Sequence, residues 1–137
     1  MSWNEVRDQE LTIEDDVRVL FVEDDPDVAH MYKLKLELDG YAVEVAADGL
    51  QAVQMATGSP PDIIFLDIRL PKMDGLDVLE ALRKDIRTRE VPVVILSNYS
   101  ERELVDRGLK LGALEYLIKS HTTPARVAGG VASWLKN

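Results

Sequence analysis

No cysteine occurs anywhere in the sequence, so a disulfide framework and a thiolate metal site are both excluded. That fits a cytosolic protein. The start, Met1-Ser2-Trp3-Asn4-Glu5, lacks the basic region and apolar run of a secretory signal. No stretch is long and apolar enough to span a membrane, so the expected location is cytoplasmic. Basic charge is also scarce: 16 Lys and Arg against 25 Asp and Glu leave a formal net charge of −9. Such a surface repels nucleic acid and anionic lipid, and direct binding to either is not expected. A partner with a basic face, or a bound cation, suits it better. Only two histidines are present, His30 and His121. Neither has ligand spacing around it, which makes both exposed helix or loop residues.

What is present is ordinary for a soluble globular chain, with 46% hydrophobic and 30% charged residues. A length of 137 residues allows one domain with one sizeable core, not two. Residues 1–16 are polar, mostly acidic and aperiodic, and read as a flexible acidic N-terminal extension with Trp3 and Val6 as candidate anchors. The folded domain is expected over 17–137.

Short apolar runs then alternate with amphipathic segments. Val17 to Val22 is β-branched and apolar, as a buried strand requires. Asp25-Pro26-Asp27 reads as a helix start, Asp25 at the N-cap and Pro26 in the first turn. Val28, Met31, Tyr32 and Leu36 follow at helical spacing as one stripe, and Gly40 ends that helix. Tyr41 to Ala47 gives a second strand, and Gly49 to about Thr57 a second helix, closed by Gly58-Ser59-Pro60-Pro61. Ile63-Ile64-Phe65-Leu66 is apolar on both faces, the pattern of a parallel strand covered on both sides. The loop Leu70 to Gly75 leads into a helix through about Lys84, with Asp74 as its expected cap. Strands over Val91 to Leu96 and Leu114 to Ile118 flank a helix from Glu101 to Leu111, and Thr123-Pro124 begins the last helix.

Five strands alternating with five helices predict an α/β, doubly wound (βα)5 domain with a five-stranded parallel sheet. Right-handed crossovers favour the flavodoxin-like strand order 2-1-3-4-5, whose ligands bind at the strand C-termini beside the switch between strands 1 and 3. At those ends stand Glu23-Asp24-Asp25, Asp67, Ser97 and Lys119. Asp62 opens the third strand, at the opposite end, and is expected to be a surface residue. Three carboxylates on neighbouring strands repel one another. A divalent cation relieves that repulsion, and carboxylates with water suit octahedral Mg²⁺. A carboxylate beside such a cation can act as nucleophile toward a phosphoryl group. A hydroxyl and an ammonium can then hold the phosphoryl oxygens.

At this point the sequence closely resembles the response-regulator receiver (CheY-like) family of two-component signalling. The matching pieces are Val19 to Pro26, Asp62 to Gly75, Val91 to Ser97 and Gly112 to Lys119, and the resemblance covers about residues 16–136. It implies that Asp67 accepts the phosphoryl group and that Asp24 ligates Mg²⁺ (or Mn²⁺) directly. Glu23 would act partly through water, and the Arg69 backbone carbonyl would complete the metal shell. It further implies Ser97 as switch hydroxyl, Tyr116 as switch aromatic and Lys119 as phosphate-binding lysine, although Tyr116 also suits plain filling of the sheet edge. The implied donor is a histidine kinase or histidine phosphotransfer protein. The implied output is a switched face formed by the fourth helix, fifth strand and fifth helix, read by an unidentified protein target or by a phosphorylation-dependent dimer. The domain is regulatory rather than an enzyme in its own right, though it assists its own phosphorylation and dephosphorylation.

Three departures from the family pattern stand out. Ser120 replaces the proline that usually follows the lysine across a cis bond; here the bond is either cis at a cost or trans with a different approach of the lysine. Asn98 follows the switch hydroxyl where a small residue is usual, and is expected to narrow access to Asp67. Gly129-Gly130 interrupts the last helix, pointing to close packing or a kink.

Other functions fit less well. A phosphatase of the haloacid dehalogenase type needs a second aspartate two residues after the first, and that position is Arg69. A flavin binder needs a Ser-, Thr- and Gly-rich loop after strand 1, where Glu23-Asp24-Asp25 stands. A degenerate docking receiver would not need the acidic pocket. The sequence stops soon after the last helix, which suggests a single-domain regulator; a receiver cut from a larger regulator with a separate output domain would read the same.

Overall fold

In the computed structural model, residues 16–136 are described. Strand β1 spans Arg18–Val22, α1 Pro26–Leu38, β2 Ala42–Ala46, α2 Gly49–Gly58, β3 Ile63–Leu66 and α3 Gly75–Lys84. Then come β4 Val93–Ser97, α4 Arg102–Lys110, β5 Glu115–Ile118, a 3-10 turn Lys119–His121 and α5 Pro124–Leu135. The strands form one parallel sheet in the order β2-β1-β3-β4-β5, the order expected from the sequence. The predicted extension lies outside the described residues apart from Asp16, which is exposed.

Alternation of side chains along each strand divides the core into two layers. Leu20, Val22, Ile64, Leu66, Val93 and Ile95 face α2 and α3, where Ala52, Ala56, Leu76, Leu79 and Leu82 meet them. Val19, Phe21, Ile63, Phe65, Val94 and Leu96 face α1 and α5, meeting Tyr32, Leu36, Val127, Val131 and Trp134. Every residue of β3 and β4 is buried, which is why their sequences are apolar without alternation. Each fully buried Leu, Ile or Phe stabilises the fold by about 1.5–3 kcal/mol relative to exposure.

Two local expectations are corrected. On α1 the buried stripe is Ala29, Tyr32 and Leu36, whereas Met31 is 52% exposed. A helix lying on a sheet buries a narrow stripe, and Met31 sits about 100° around the axis from Tyr32, toward solvent. Asp74 occupies the N-cap position of α3 but its side chain makes no capping bond. The first N–H of the helix, that of Gly75, is taken by the Ile68 carbonyl at 2.7 Å.

The glycine pair does not break α5, which runs unbroken through it. The two glycines differ in kind. A Cβ on Gly130 would lie 2.7 Å from the Trp134 ring, whereas one on Gly129 would meet nothing within 4 Å. Trp134 is itself fixed, edge-on to Phe65 at 5.7 Å with its indole N–H donated to Glu115. Gly130→Ala is therefore expected to lose about 1–2 kcal/mol by overpacking, and Gly129→Ala to gain about 0.5–1 kcal/mol from helix propensity. Urea unfolding of the two variants checks the difference in sign.

Candidate functional site

The strand ends bring the chemistry together. The chain stays in strand geometry just past β1, where the Glu23 N–H bonds the Ala46 carbonyl at 3.0 Å; just past β3 the Asp67 N–H bonds the Val22 carbonyl at 3.2 Å. Both side chains are thereby held over the sheet edge, Glu23 2% and Asp67 7% exposed. Asp24 is exposed beside them. One oxygen from each of Glu23, Asp24 and Asp67 falls within 4.8 Å of the others. Asp25 is a plain cap, its Oδ1 accepting from the N–H of Asp27 at 2.9 Å and of Val28 at 3.3 Å.

Lys119, the first residue after β5, sends its Nζ into this group. It donates to Asp67 Oδ2 at 2.8 Å and to Glu23 Oε1. The other Asp67 oxygen accepts the Ile68 N–H at 2.7 Å, and the second Glu23 oxygen accepts the Asp25 N–H at 3.1 Å. Burial pushes the Glu23 carboxyl above the usual carboxylate range, against the pull of Lys119 and the Asp25 N–H. Burial would also depress the Lys119 ammonium, but its bonds to Asp67 and Glu23 prevail and hold it above the ordinary lysine value.

Three carboxylates face one ammonium, so the group keeps an excess of negative charge. All its donors are hard oxygens, which suits Mg²⁺ or Mn²⁺ and not a thiophilic metal. The residues therefore fit a divalent cation held by Glu23, Asp24 and Asp67.

Ser97 ends β4, fully buried, with its Oγ accepting the Tyr99 N–H at 3.1 Å. Tyr116, on β5, donates its hydroxyl to the Tyr99 carbonyl and reaches Ser97; burial raises its phenol above the ordinary value. Arg69 is exposed, its guanidinium 4.8 Å from the centre of the Tyr99 ring. Asn98 Oδ1 accepts the Ser120 N–H at 3.0 Å. No peptide bond among the described residues is cis, so Lys119–Ser120 is trans.

Glu23, Asp24, Asp67 and Lys119 thus converge, with Ser97 and Tyr116 linked through Tyr99. His30 and His121 are exposed, and Asp62 lies at the opposite sheet edge, accepting the Arg18 N–H at 2.8 Å. The sequence gives no sign of Tyr99, whose backbone and ring touch Ser97, Tyr116 and Arg69; no periodicity marks such a loop residue. Close packing keeps the Asp67 backbone in place: a Cβ on Gly75 would lie 2.0 Å from the Asp67 carbonyl oxygen. A groove of about 650 Å³ runs along α3 past Leu70, Met73 and Asp77, away from these groups.

Residues 19–127 match the family model of the response regulator receiver domain. The chain is 38% identical over 102 residues to the DNA-binding dual master transcriptional regulator RpaA of Synechocystis sp., covering 74% of this chain and 42% of that protein. It is 41% identical over 111 residues to the transcriptional regulatory protein PrrA of Mycobacterium tuberculosis, covering 81% and 47%. Among solved structures, a CheY-like receiver domain protein from Methanospirillum hungatei gives a TM-score of 0.83 at 26% identity, over 89% of this chain and 95% of that one. A response regulator from Chloroflexus aurantiacus gives 0.82 at 30% identity, over 90% and 100%. The chain spans less than half the length of these curated relatives.

Proposed function

This chain belongs to the response regulator receiver family, and we propose that it is a phosphorelay receiver in which Asp67 takes a phosphoryl group from a phosphohistidine of a histidine kinase or phosphotransfer protein. The observation that carries the reading is the buried Asp67 carboxylate, paired with Lys119 Nζ at 2.8 Å and grouped with Glu23 and Asp24. An Asp67 oxygen forms the new bond to phosphorus while the bond from phosphorus to the leaving group breaks. Glu23, Asp24, Asp67 and the Arg69 carbonyl would hold Mg²⁺ (or Mn²⁺). When bound, this cation supplies positive charge against the phosphoryl oxygens. Lys119 keeps one face of the group cationic, and its bond to Asp67 passes to a phosphoryl oxygen as the carboxylate becomes an acyl phosphate. Ser97 donates a hydrogen bond from its hydroxyl to another phosphoryl oxygen.

That last step disturbs the network at Tyr99, since Ser97 Oγ accepts the Tyr99 N–H and Tyr116 donates to the Tyr99 carbonyl. The charge change at Asp67 thereby biases the face of α4, β5 and α5 toward a protein target in the cytoplasm or a second copy. The domain is a regulator, and its only chemistry is on itself. The 42% and 47% coverage of RpaA and PrrA favours a second reading, in which this receiver governs a separate output domain of a longer regulator; the full-length gene sequence decides it. For Asp67, incubation with acetyl phosphate and Mg²⁺ is expected to give a phosphorylated chain that is labile to base and to hydroxylamine, trapped by borohydride reduction at residue 67. Reduction at any other residue would sink the assignment.

A further inference from the structure

The two departures from the receiver pattern beside the site, Asn98 and Ser120, meet each other. The Ser120 N–H donates to Asn98 Oδ1 at 3.0 Å, a contact between residues 22 apart in sequence. A proline at 120 would have no N–H to give. Asn98 directly follows Ser97 and Ser120 directly follows Lys119. The bond therefore joins the loop that carries the hydroxyl to the turn that carries the ammonium. That turn is a single 3-10 turn, Lys119–His121, closed by the Thr122 N–H on the Lys119 carbonyl at 3.3 Å. Beside it is a cavity of about 230 Å³, lined by Lys119, Ser120 and Asn98 itself together with Val28, Met31 and Tyr32 of α1. Close packing does not hold the turn against α1 there, and a polar tie to β4 has work left to do.

We propose that Asn98 is a positioning residue for Lys119: its side-chain carbonyl holds the turn against the end of β4, so that the Lys119 ammonium and the Ser97 hydroxyl address the phosphoryl group as one unit. The proposal rests on the reading of Asp67 as phosphoacceptor. Movement of Ser97 toward a phosphoryl oxygen carries Asn98 with it along the backbone, and Asn98 draws the Lys119 turn by the Ser120 N–H. Serine at 120 is what leaves this N–H where the family usually has a proline ring.

The test measures binding of beryllofluoride in the presence of Mg²⁺, and of Mg²⁺ alone, to the wild-type chain, Asn98→Ala and Asn98→Asp. Loss of this one exposed hydrogen bond is expected to weaken beryllofluoride binding to Asn98→Ala by about fivefold. Mg²⁺ affinity alone is expected to stay within about twofold, because the carboxylates are untouched. Asn98→Asp keeps an acceptor oxygen and is expected to recover most of the loss at high salt, where its extra charge is screened. Wild-type affinity in Asn98→Ala would overturn the proposal. Tighter binding would also overturn it, and would mark the side chain as an obstruction to access instead. Equal loss of Mg²⁺ and beryllofluoride affinity would show a general disturbance and sink it too. If the wild-type chain binds no beryllofluoride, the phosphoacceptor reading itself fails and the positioning role with it.

Discussion

Asparagine in place of Asp67 is expected to abolish phosphoryl uptake from acetyl phosphate, a fall of more than about a thousandfold in rate, as for removal of a nucleophile elsewhere. The amide has nearly the shape of the carboxylate, so its oxygen can still accept the Ile68 N–H that Asp67 Oδ1 accepts at 2.7 Å. What it loses is the negative charge that attacks phosphorus and draws a cation. One of three crowded carboxylates becomes neutral while Lys119 keeps its bond to Glu23. Relief of that repulsion offsets the weaker pairing with Lys119, so stability is expected to stay within about 1 kcal/mol of wild type. Mass spectrometry of the treated variant reads the first effect and urea unfolding the second. A variant that is phosphorylated at the wild-type rate would move the nucleophile away from Asp67.

The parts of the site legible in the sequence were those fixed by strand topology. Once β1, β3, β4 and β5 are recognised as parallel, Glu23, Asp67, Ser97 and Lys119 must share one sheet edge, whatever the loops do. Helix rotation was less legible. Val28 and Ala29 lie four and three residues before Tyr32 and Met31 one before it, and packing on the sheet decides that Ala29 is buried while Met31 is 52% exposed. Contacts between a side chain and distant backbone leave no pattern at all. Arg83 is an example. In the structure it is half-buried and donates to the carbonyls of Val91 at 2.8 Å and Gly112 at 2.9 Å, tying the approaches to β4 and β5 together. The Asn98–Ser120 bond is of the same type. Each residue was visible as a departure, but their pairing depends on two loops meeting.

Methionine in place of Lys119 is expected to destabilise the protein by about 2–3 kcal/mol at neutral pH, since it keeps the apolar stem and removes the only ammonium bonded to Glu23 and Asp67 among the described residues. Breaking a buried pair costs about 3–5 kcal/mol when a charge is stranded; the lower figure follows because Asp24 is exposed and the group is open to water on that side. Glu23 has a second escape. Its carboxyl already lies above the ordinary 4.5 through burial, and losing the ammonium raises it further. The folded chain then holds a proton that the unfolded chain has released, so stability falls as pH rises from about 4.5 through the folded-state value. The deficit of Lys119→Met is therefore expected to be small near pH 4.5 and full at pH 7. A divalent cation competes with Lys119 for the same carboxylates, so Mg²⁺ should raise the melting temperature of Lys119→Met more than that of wild type. A deficit independent of both pH and Mg²⁺ would mean that Lys119 serves the fold by packing alone, and that its ammonium does not govern the charge at Asp67.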